Sequence, residues 1–232
     1  MQMAIRRSTE RGGADHGWLK TQHTFSFAHY YDRDFMGFGP LRVINQDRVE
    51  AGRGFGTHGH RNMEIVSYVV EGALEHRDSM GTGSVIRPGD VQLMSAGTGV
   101  SHSEMNHSAT EGVHFLQIWI LPEEGNTEPR YEQKAFPIAE DDGLRLVVSP
   151  DGRDGSLTIG QNADIYRALL PAGGSATHTV RRRRNWVQVV RGELQVNGAL
   201  LQAGDGLAVE AAEKVALMAG DSAVEALLFD LP

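Results

Sequence analysis

Short runs dominated by aliphatic, β-branched and aromatic residues recur through the middle of the chain and end at turn-forming residues. The clearest are EIVSYVVEG (64–72), GDVQLMSAG (89–97) and VHFLQIWIL (113–121). Many short runs of this kind at close spacing predict a β-sandwich or barrel. Helical periodicity is scarce, and the one short helical turn that we expect lies within NTEPRYEQKAF (126–136).

The strand pattern also repeats within the chain. SYVVEGALEHRDSMGTGSVIRPGDVQLMSA (67–96) and VQVVRGELQVNGALLQAGDGLAVEAA (187–212) share a Val-Val-charged-Gly turn, a strand, a glycine turn, a Gly-Asp pair and another strand. Aligning Gly72 with Gly192 gives an offset of 120 residues. A repeat of this kind indicates two copies of one β unit, each with its own core.

The two copies predict two domains. We place them at residues 1–135 and 136–232, both within the usual size range of a domain. The boundary is expected within KAFPIAEDDG (134–143), where proline and acidic residues interrupt the strand pattern. The predicted fold class is therefore all-β with two domains.

Charge argues against nucleic acid as a partner. The 232 residues carry a formal net charge of -8. A protein that binds DNA or RNA needs a basic surface, which is the opposite sign. The run RRRR (181–184) is therefore expected to be a solvated edge strand, where charges also block edge pairing.

No targeting or membrane signal is evident. Basic residues in MQMAIRRSTERGG (1–13) are not followed by an apolar stretch, so a secretory signal is not expected. No segment has enough consecutive apolar residues to cross a bilayer. These features predict a soluble cytoplasmic protein without a membrane partner.

The absence of cysteine narrows the chemistry that the chain can perform. With no cysteines, disulfides and thiolate ligands are excluded, and any metal must be held by nitrogen and oxygen atoms. Ten histidines are available for that purpose.

Two histidine pairs at strand spacing are the candidate ligands. In GTHGHRNME, His58 and His60 project from one face of a strand, and Glu64 shares their parity if the strand continues. In GTGVSHSEMN, His102 and Glu104 repeat this spacing. Three imidazoles and one carboxylate suit iron, nickel, copper or manganese and leave coordination positions open. Parity alone does not decide between Glu64 and Glu104 as the carboxylate ligand.

The first pair lies in a motif that resembles the first motif of the cupin superfamily. The pattern GxxxxxHxHxxxE is carried by Gly52, His58, His60 and Glu64. Its closing glycine falls one residue late, at Gly72.

The second pair lies in a motif similar to the tail of the second cupin motif. The pattern GxxHxxxN is carried by Gly99, His102 and Asn106, although Gly97 stands at the usual proline position. Within the cupins the chain resembles the pirins, in particular bacterial pirin-like proteins with quercetinase activity. The segments that carry this resemblance are HGWLKTQHTFSFAHYYD (16–32), MGFGPLRVIN (36–45), GFGTHGHRNMEI (54–65), MSAGTGVSHSE (94–104) and EALLFDLP (225–232).

The resemblance implies a bicupin fold in which each domain is an antiparallel jelly-roll sandwich or barrel. It implies that one divalent metal is bound by His58, His60, His102 and Glu104, with Glu104 also a candidate base. Glu64 would then be a neighbour of the ligands or a residue of the strand surface. Iron(II) is the favoured metal, and zinc, nickel, copper, cobalt and manganese are compatible with the same ligands.

The activity that the resemblance implies is that of a quercetin 2,3-dioxygenase. Such an enzyme would use dioxygen to open the heterocyclic ring of a flavonol and release carbon monoxide. The resemblance also favours a monomer. The alternative is a non-catalytic pirin that uses its metal as a redox sensor or regulates a protein partner.

The second copy lacks most of the candidate ligands. The offset of 120 residues sets His178, Val180 and Arg184 against the two histidines and the glutamate of the first motif. One histidine cannot hold a metal, so the C-terminal domain is predicted to be metal-free.

Other histidines and aromatics have simpler interpretations. Phe25 and Phe27 alternate as core residues of a strand do, and His114 lies in an apolar run that predicts a core position. His23 is expected at a surface or turn position, and no pattern assigns a role to His76.

Overall fold

The computed structural model describes residues 1–138 and 143–232. The middle of the predicted boundary segment (134–143) therefore lies outside the described residues. Within the described ranges the regular structure is almost entirely β, which confirms the predicted fold class.

The only helical segments in the described ranges are two 3-10 turns, Ser8–Glu10 and Arg153–Gly155. No helix there is long and apolar enough to span a bilayer. The strands, in chain order, are β1 (Gln2–Arg6), β2 (Gly12–Asp15), β3 (Leu19–His23), β4 (Leu41–Val49), β5 (Gly54–His60), β6 (Glu64–Glu71), β7 (Leu74–Asp78), β8 (Gly83–Ile86), β9 (Asp90–Ser95), β10 (Val100–Asn106), β11 (Val113–Ile120), β12 (Arg130–Ala135), β13 (Gly143–Ser149), β14 (Leu157–Thr158), β15 (Asp164–Leu170), β16 (Ser175–Thr179), β17 (Arg184–Arg191), β18 (Glu193–Val196), β19 (Ala199–Gln202), β20 (Gly206–Glu210), β21 (Lys214–Ala219) and β22 (Val224–Leu231).

The three strands read most clearly from the sequence are confirmed as β6, β9 and β11. The helical turn expected within residues 126–136 is wrong, because Arg130–Ala135 forms strand β12. β12 pairs with β9 along its whole length, with Tyr131 opposite Met94. This long-range pairing satisfies the backbone that local propensity alone would have left to a turn.

The described chain forms two compact units. The N-terminal unit comprises Gly12–Pro137 and Ile159–Gln161, and the C-terminal unit comprises Met1–Arg11, Ile138–Thr158 and Asn162–Pro232. The predicted division into residues 1–135 and 136–232 puts the first eleven residues in the N-terminal domain. In the structure they belong to the C-terminal unit. The reason is that β1 pairs with β20 through all five of its residues, Gln2 to Arg6.

Each unit contains one seven-stranded and one four-stranded sheet. In the N-terminal unit the strand orders are β12-β9-β6-β11-β4-β3-β2 and β5-β10-β7-β8. In the C-terminal unit they are β1-β20-β17-β22-β15-β13-β14 and β16-β21-β18-β19. The two sets correspond in strand order, with β1 in the place that β12 has in the other unit, although β14 runs parallel to β13 whereas β2 runs antiparallel to β3. The internal repeat is therefore a repeat of the cupin fold.

The turn that revealed the repeat has the same backbone in both copies. Gly72 has φ +77° and Gly192 has φ +82°, a left-handed conformation that glycine adopts without a Cβ clash. Each glycine ends the long inner strand, β6 or β17, and lets the chain turn into the short sheet.

The apolar core of the N-terminal unit joins its two sheets. Leu74 of β7 and Ile86 of β8 pack with Val69 of β6 and Phe115 of β11, and all four are buried. This packing fixes the small sheet against the large one. It also holds in place β10, which neighbours β7 in the small sheet, and β5, which pairs with β10.

Candidate metal centre

Strands β5 and β10 bring the two histidine pairs together. They are antiparallel neighbours, and His102 is the register partner of His58. His58 and His60 share a strand face because they are two residues apart. The ligand atoms of His58, His60 and His102 all lie within 4.8 Å of one another. The structure thus assembles three of the four predicted ligands.

The hydrogen bond of His58 determines which nitrogen faces the cluster. Its Nδ1 donates to the carbonyl oxygen of Gly56 at 2.8 Å, so a neutral ring presents the lone pair of Nε2. His58 Nε2 and His102 Nε2 are 3.1 Å apart. Two nitrogens bound to one metal at about 2.0–2.1 Å are separated by about 3.0–3.4 Å, so this pair fits a shared ion.

His60 and His102 are uncharged at neutral pH. Burial, reinforced by the neighbouring His58 and His60, lowers the pKa of His102 to about 3. Burial and His58 lower the pKa of His60 to about 4. A metal binds deprotonated ligands, so His60 and His102 need not lose a proton to bind one near pH 7.

His76 lies directly behind His102. It is fully buried on β7, with Nε2 2.9 Å from Asp78 Oδ2 and Nδ1 3.4 Å from His102 Nδ1. Although burial acts to raise it, hydrogen bonds from His76 and from the backbone of Thr82 and Met80 lower the pKa of Asp78. The ionised carboxylate accepts the proton on His76 Nε2, so in a neutral His76 ring Nδ1 is an acceptor.

This arrangement orients His102. When His76 Nδ1 accepts the Nδ1–H of His102, the lone pair of His102 Nε2 is left facing His58. No pattern in the sequence assigns a role to His76. The available signal was the spacing of His76 and Asp78, which puts both side chains on one face of a strand, as in the two recognised pairs.

Glu104 is buried beside the histidine cluster. Its Oε2 accepts a hydrogen bond from Gln117 Nε2 at 2.6 Å, and its Oε1 lies 3.2 Å from Ser67 Oγ. Burial raises the pKa of Glu104 against the opposing effect of the Gln117 hydrogen bond. Its carboxylate is not among the ligand atoms within 4.8 Å of one another. Its role as the fourth ligand stays a prediction.

Glu64 is engaged elsewhere. Its Oε2 accepts hydrogen bonds from Ser95 Oγ at 2.8 Å and from the backbone N–H of Gly160 at 3.1 Å. Only 2% of Glu64 is exposed, so it is not a residue of the strand surface. Burial raises the pKa of Glu64, although both hydrogen bonds oppose the shift. Its contacts join β6 to the segment Ile159–Gln161.

A cavity of about 160 Å³ opens beside the cluster. Its walls include His58, Glu104, Gln117, Asp47 and Trp119. Two larger surface depressions, of about 330 and 540 Å³, have none of the four predicted ligands on their walls. The smaller cavity is therefore the one that a molecule reacting at the cluster would enter.

Two expectations for residues near the cavity were wrong. His23 is buried and its Nδ1 donates a hydrogen bond to Asn45 Oδ1 at 2.8 Å, because β3 lies inside the large sheet. Phe27 is half-buried on the cavity wall, where its ring meets Trp119 edge-on at 5.4 Å. The core positions of Phe25 and His114 are confirmed.

The C-terminal unit keeps one histidine of the cluster and has an apolar residue in the place of His102. His178 matches His58, but its Nε2 binds Asp230 Oδ2 at 2.7 Å, and its register partner is Val215 where His58 has His102. The metal-free prediction for this unit rests on these replacements and stays a prediction.

The arginine run is not a solvated edge strand. Arg184 begins β17, which has β20 and β22 on its two sides. Arg182 donates to the fully buried carboxylate of Asp164 at 2.7 Å. The run supplies charge to a buried acidic group, which the local sequence does not reveal.

The fold and the cluster define a two-domain cupin with a metal-type histidine centre in its N-terminal unit. The chain belongs to the pirin family. Residues 4–120 match the Pirin family, and residues 146–231 match the family described as "Quercetinase C-terminal cupin domain". The resemblance found in the sequence is confirmed.

Several relatives cover almost the full chain. Quercetin 2,3-dioxygenase of Escherichia coli (strain K12) is 52% identical over 229 residues, which is 98% of both chains. A pirin-like protein of Caulobacter vibrioides is 40% identical over 202 residues, 86% of this chain and 87% of the relative. The crystal structure of the bacterial pirin YhhW from Escherichia coli in complex with nickel(II) superposes with a TM-score of 0.94 at 50% identity, covering 100% of this chain and 99% of that one.

Proposed function

We propose that this chain is a metal-dependent dioxygenase that opens the heterocyclic ring of flavonols such as quercetin and releases carbon monoxide. The observation that carries the proposal is the cluster of His58, His60 and His102 beside a cavity walled by Glu104. The similarity to quercetin 2,3-dioxygenase of Escherichia coli supports the same reaction.

One divalent metal would be held by the three imidazoles, with Glu104 as the fourth ligand. Each Glu104 oxygen has one hydrogen-bonding neighbour, and a carboxylate oxygen can accept more than one contact. Iron(II) remains the favoured metal, and nickel(II) is the ion in the complex of the related pirin. When bound, the metal supplies a Lewis acid that lowers the cost of deprotonating the flavonol 3-hydroxyl and brings the flavonolate into reaction with dioxygen.

Glu104 is the group that takes the proton of the 3-hydroxyl. Ser67 Oγ lies 3.2 Å from Glu104 Oε1 and 2.9 Å from Gln117 Oε1, and it has one hydrogen to donate. When Glu104 is ionised, Ser67 donates to it. When Glu104 is protonated at Oε1, it donates to Ser67, whose own hydrogen then goes to Gln117. In both states each Glu104 oxygen keeps a hydrogen-bond partner, Ser67 at Oε1 and Gln117 at Oε2, so Glu104 can gain and lose a proton while it stays hydrogen-bonded.

The cavity suits partial entry of a flavonol. Its volume of about 160 Å³ is below the about 300–1,000 Å³ of pockets that bury a drug-sized ligand. We therefore propose that the ring bearing the reacting hydroxyl enters and the rest of the molecule stays at the mouth. Phe27, Phe55 and Trp119 on the walls offer aromatic faces and edges to that ring and exclude water from it.

Turnover tests the proposal directly. Metal-loaded protein incubated with quercetin in air should consume dioxygen and yield a depside and carbon monoxide. His60→Ala should abolish the products, whereas His29→Ala, a change at an exposed histidine, should leave them unchanged. A protein that acts only as a redox sensor would hold the metal without consuming flavonol, and that result would overturn the proposal.

The monomeric state, the cytoplasmic location and the lack of nucleic-acid and membrane partners stay predictions. Flavonol and dioxygen as the reacting molecules belong to the proposal above.

A further inference from the structure

Asp47 is a buried carboxyl group on the cavity wall outside the proposed ligand set. It lies on β4, in register with Thr21 of β3 and Phe115 of β11, and only 5% of it is exposed. The Thr21 side chain hydrogen-bonds the carboxyl group. Its Oδ1, which is also buried, has no hydrogen-bond partner among the described residues.

The surroundings of Asp47 do not explain this oxygen. No lysine or arginine is among the described residues that line the cavity, so no fixed cation neutralises the carboxylate there. An unpartnered buried polar group destabilises a protein, and such groups are rare in folded proteins. Asp47 is therefore placed at a cost in stability, on the wall of the cavity that the candidate substrate would enter.

The protonation equilibrium of Asp47 allows its carboxyl group to act as acceptor or as donor in a hydrogen bond with a hydroxyl. Burial raises the pKa of Asp47 to about 7, with Thr21 opposing the shift and the nearby Glu104 adding to it. Near neutral pH both forms are populated. The ionised form accepts from a phenolic hydroxyl, and the protonated form donates to its oxygen.

We propose that Asp47 recognises a hydroxyl of the flavonol other than the 3-hydroxyl and so selects polyhydroxylated substrates. The inference rests on the proposed function and deepens it. A site built to hydrogen-bond a hydroxyl rejects analogues that lack it more strongly than an apolar wall rejects an added group. The hydroxyl supplies the partner that Oδ1 lacks, and its absence leaves the buried oxygen unpaired.

Binding to the metal-loaded protein without dioxygen tests this assignment. Affinities are measured for quercetin, for a set of analogues that each lack one of its hydroxyls other than the 3-hydroxyl, and for 3-hydroxyflavone, which keeps only the 3-hydroxyl. Asp47→Ala should weaken quercetin binding by at least about tenfold and change 3-hydroxyflavone binding by less than about twofold. For the analogue that lacks the recognised hydroxyl, Asp47→Ala should cause no loss of affinity. Asp47→Asn, which keeps the shape and can still hydrogen-bond, should lose less.

Phe55→Leu is the matched control on the same wall. It removes packing area without a hydrogen bond, so it should weaken all the ligands by a similar factor. Metal content and melting temperature of each variant show that the site is intact. If Asp47→Ala weakens all flavonols equally, or none, the recognition role is wrong.

The two proposals fail in different ways. If the wild type binds flavonols selectively but does not open their ring, the dioxygenase proposal fails and the role of Asp47 stands. If the wild type turns over quercetin while Asp47→Ala has a uniform effect, only the role of Asp47 fails. If the wild type binds no flavonol at all, both are overturned.

Discussion

His76 Nδ1 lies 3.4 Å from His102 Nδ1, on the side of the His102 ring away from His58. The carboxylate of Asp78 determines the direction of this contact, because it can only accept the proton of His76. The proton positions of both rings are therefore set by a residue that does not reach the cluster. If residue 78 donated a hydrogen bond to His76 instead of accepting one, the proton on His102 should move to its ligand nitrogen, Nε2.

Asp78→Asn tests this chain of hydrogen bonds. The amide can donate to His76 Nε2, which moves the His76 proton to Nδ1 and forces His102 to protonate Nε2. We expect metal affinity to fall by about 10–100-fold, measured by competition with a chelator of known affinity. Glu75→Gln is the control, because Glu75 lies on the same strand but takes no part in the hydrogen bonds that link Asp78, His76 and His102. Equal affinity in Asp78→Asn and wild type would contradict the proposed orientation.

His60→Ala should remove the bound metal. His60 is one of three clustered ligands, and the two remaining imidazoles cannot by themselves hold a divalent ion tightly. Elemental analysis of the purified variant should give far less than one metal per chain and no flavonol turnover. His29→Ala should keep both, since His29 is exposed and outside the cluster. A metal-replete His60→Ala protein would show that the ion sits elsewhere.

Glu104→Gln and Glu64→Gln separate the two candidate carboxylates. We expect Glu104→Gln to lower kcat by about 10²–10⁴-fold, the range for loss of a general base, and to weaken metal retention. Glu64→Gln should keep the metal, because the Glu64 carboxylate contacts Ser95 and Gly160 and an amide oxygen can still accept from one of them. Metal content and turnover of both variants decide the matter, and the reverse pattern would assign the ligand to Glu64.

Asp47 should make the stability of the metal-free protein depend on pH. Its pKa is about 7 in the folded chain against about 3.9 in an unfolded one. Between these values the folded state holds a proton that the unfolded state releases, so this group lowers stability as pH rises through the interval. Asp47→Asn removes the effect. Its melting temperature relative to wild type should therefore increase from about pH 5 to about pH 7.5. A constant difference would mean that Asp47 stays ionised.

Gly72→Ala tests the turn shared by the two copies. Gly72 has φ +77°, and an added Cβ would lie 2.6 Å from the carbonyl oxygen of Gly112. Gly17 has φ +81° with nothing within 4 Å, so Gly17→Ala has the conformational cost alone. That cost is about 1–2 kcal/mol, and Gly72→Ala should exceed it by at least about 1 kcal/mol in urea unfolding. Equal losses would show that the turn can open to admit a methyl group.

Local periodicity determined much of this protein. The alternation of apolar and polar residues is a property of each strand by itself, so β6, β9 and β11 could be predicted, as could the shared face of His58 and His60. The repeat was visible because the Gly72 and Gly192 turns need the same residue type. The absence of cysteine limited any metal site to nitrogen and oxygen ligands.

The tertiary structure decided which residues meet across the sheets. Glu64 accepts a hydrogen bond from Gly160, which is 96 residues away in the sequence. β1 pairs into a sheet of the C-terminal unit, and His76 lies behind His102. Strand order and register produce these contacts, and neither is encoded in the periodicity of a single strand. Asp47 illustrates the limit, since on its strand it is one polar residue among several. Only the packing of the two sheets makes it a buried carboxyl group on the wall of a cavity.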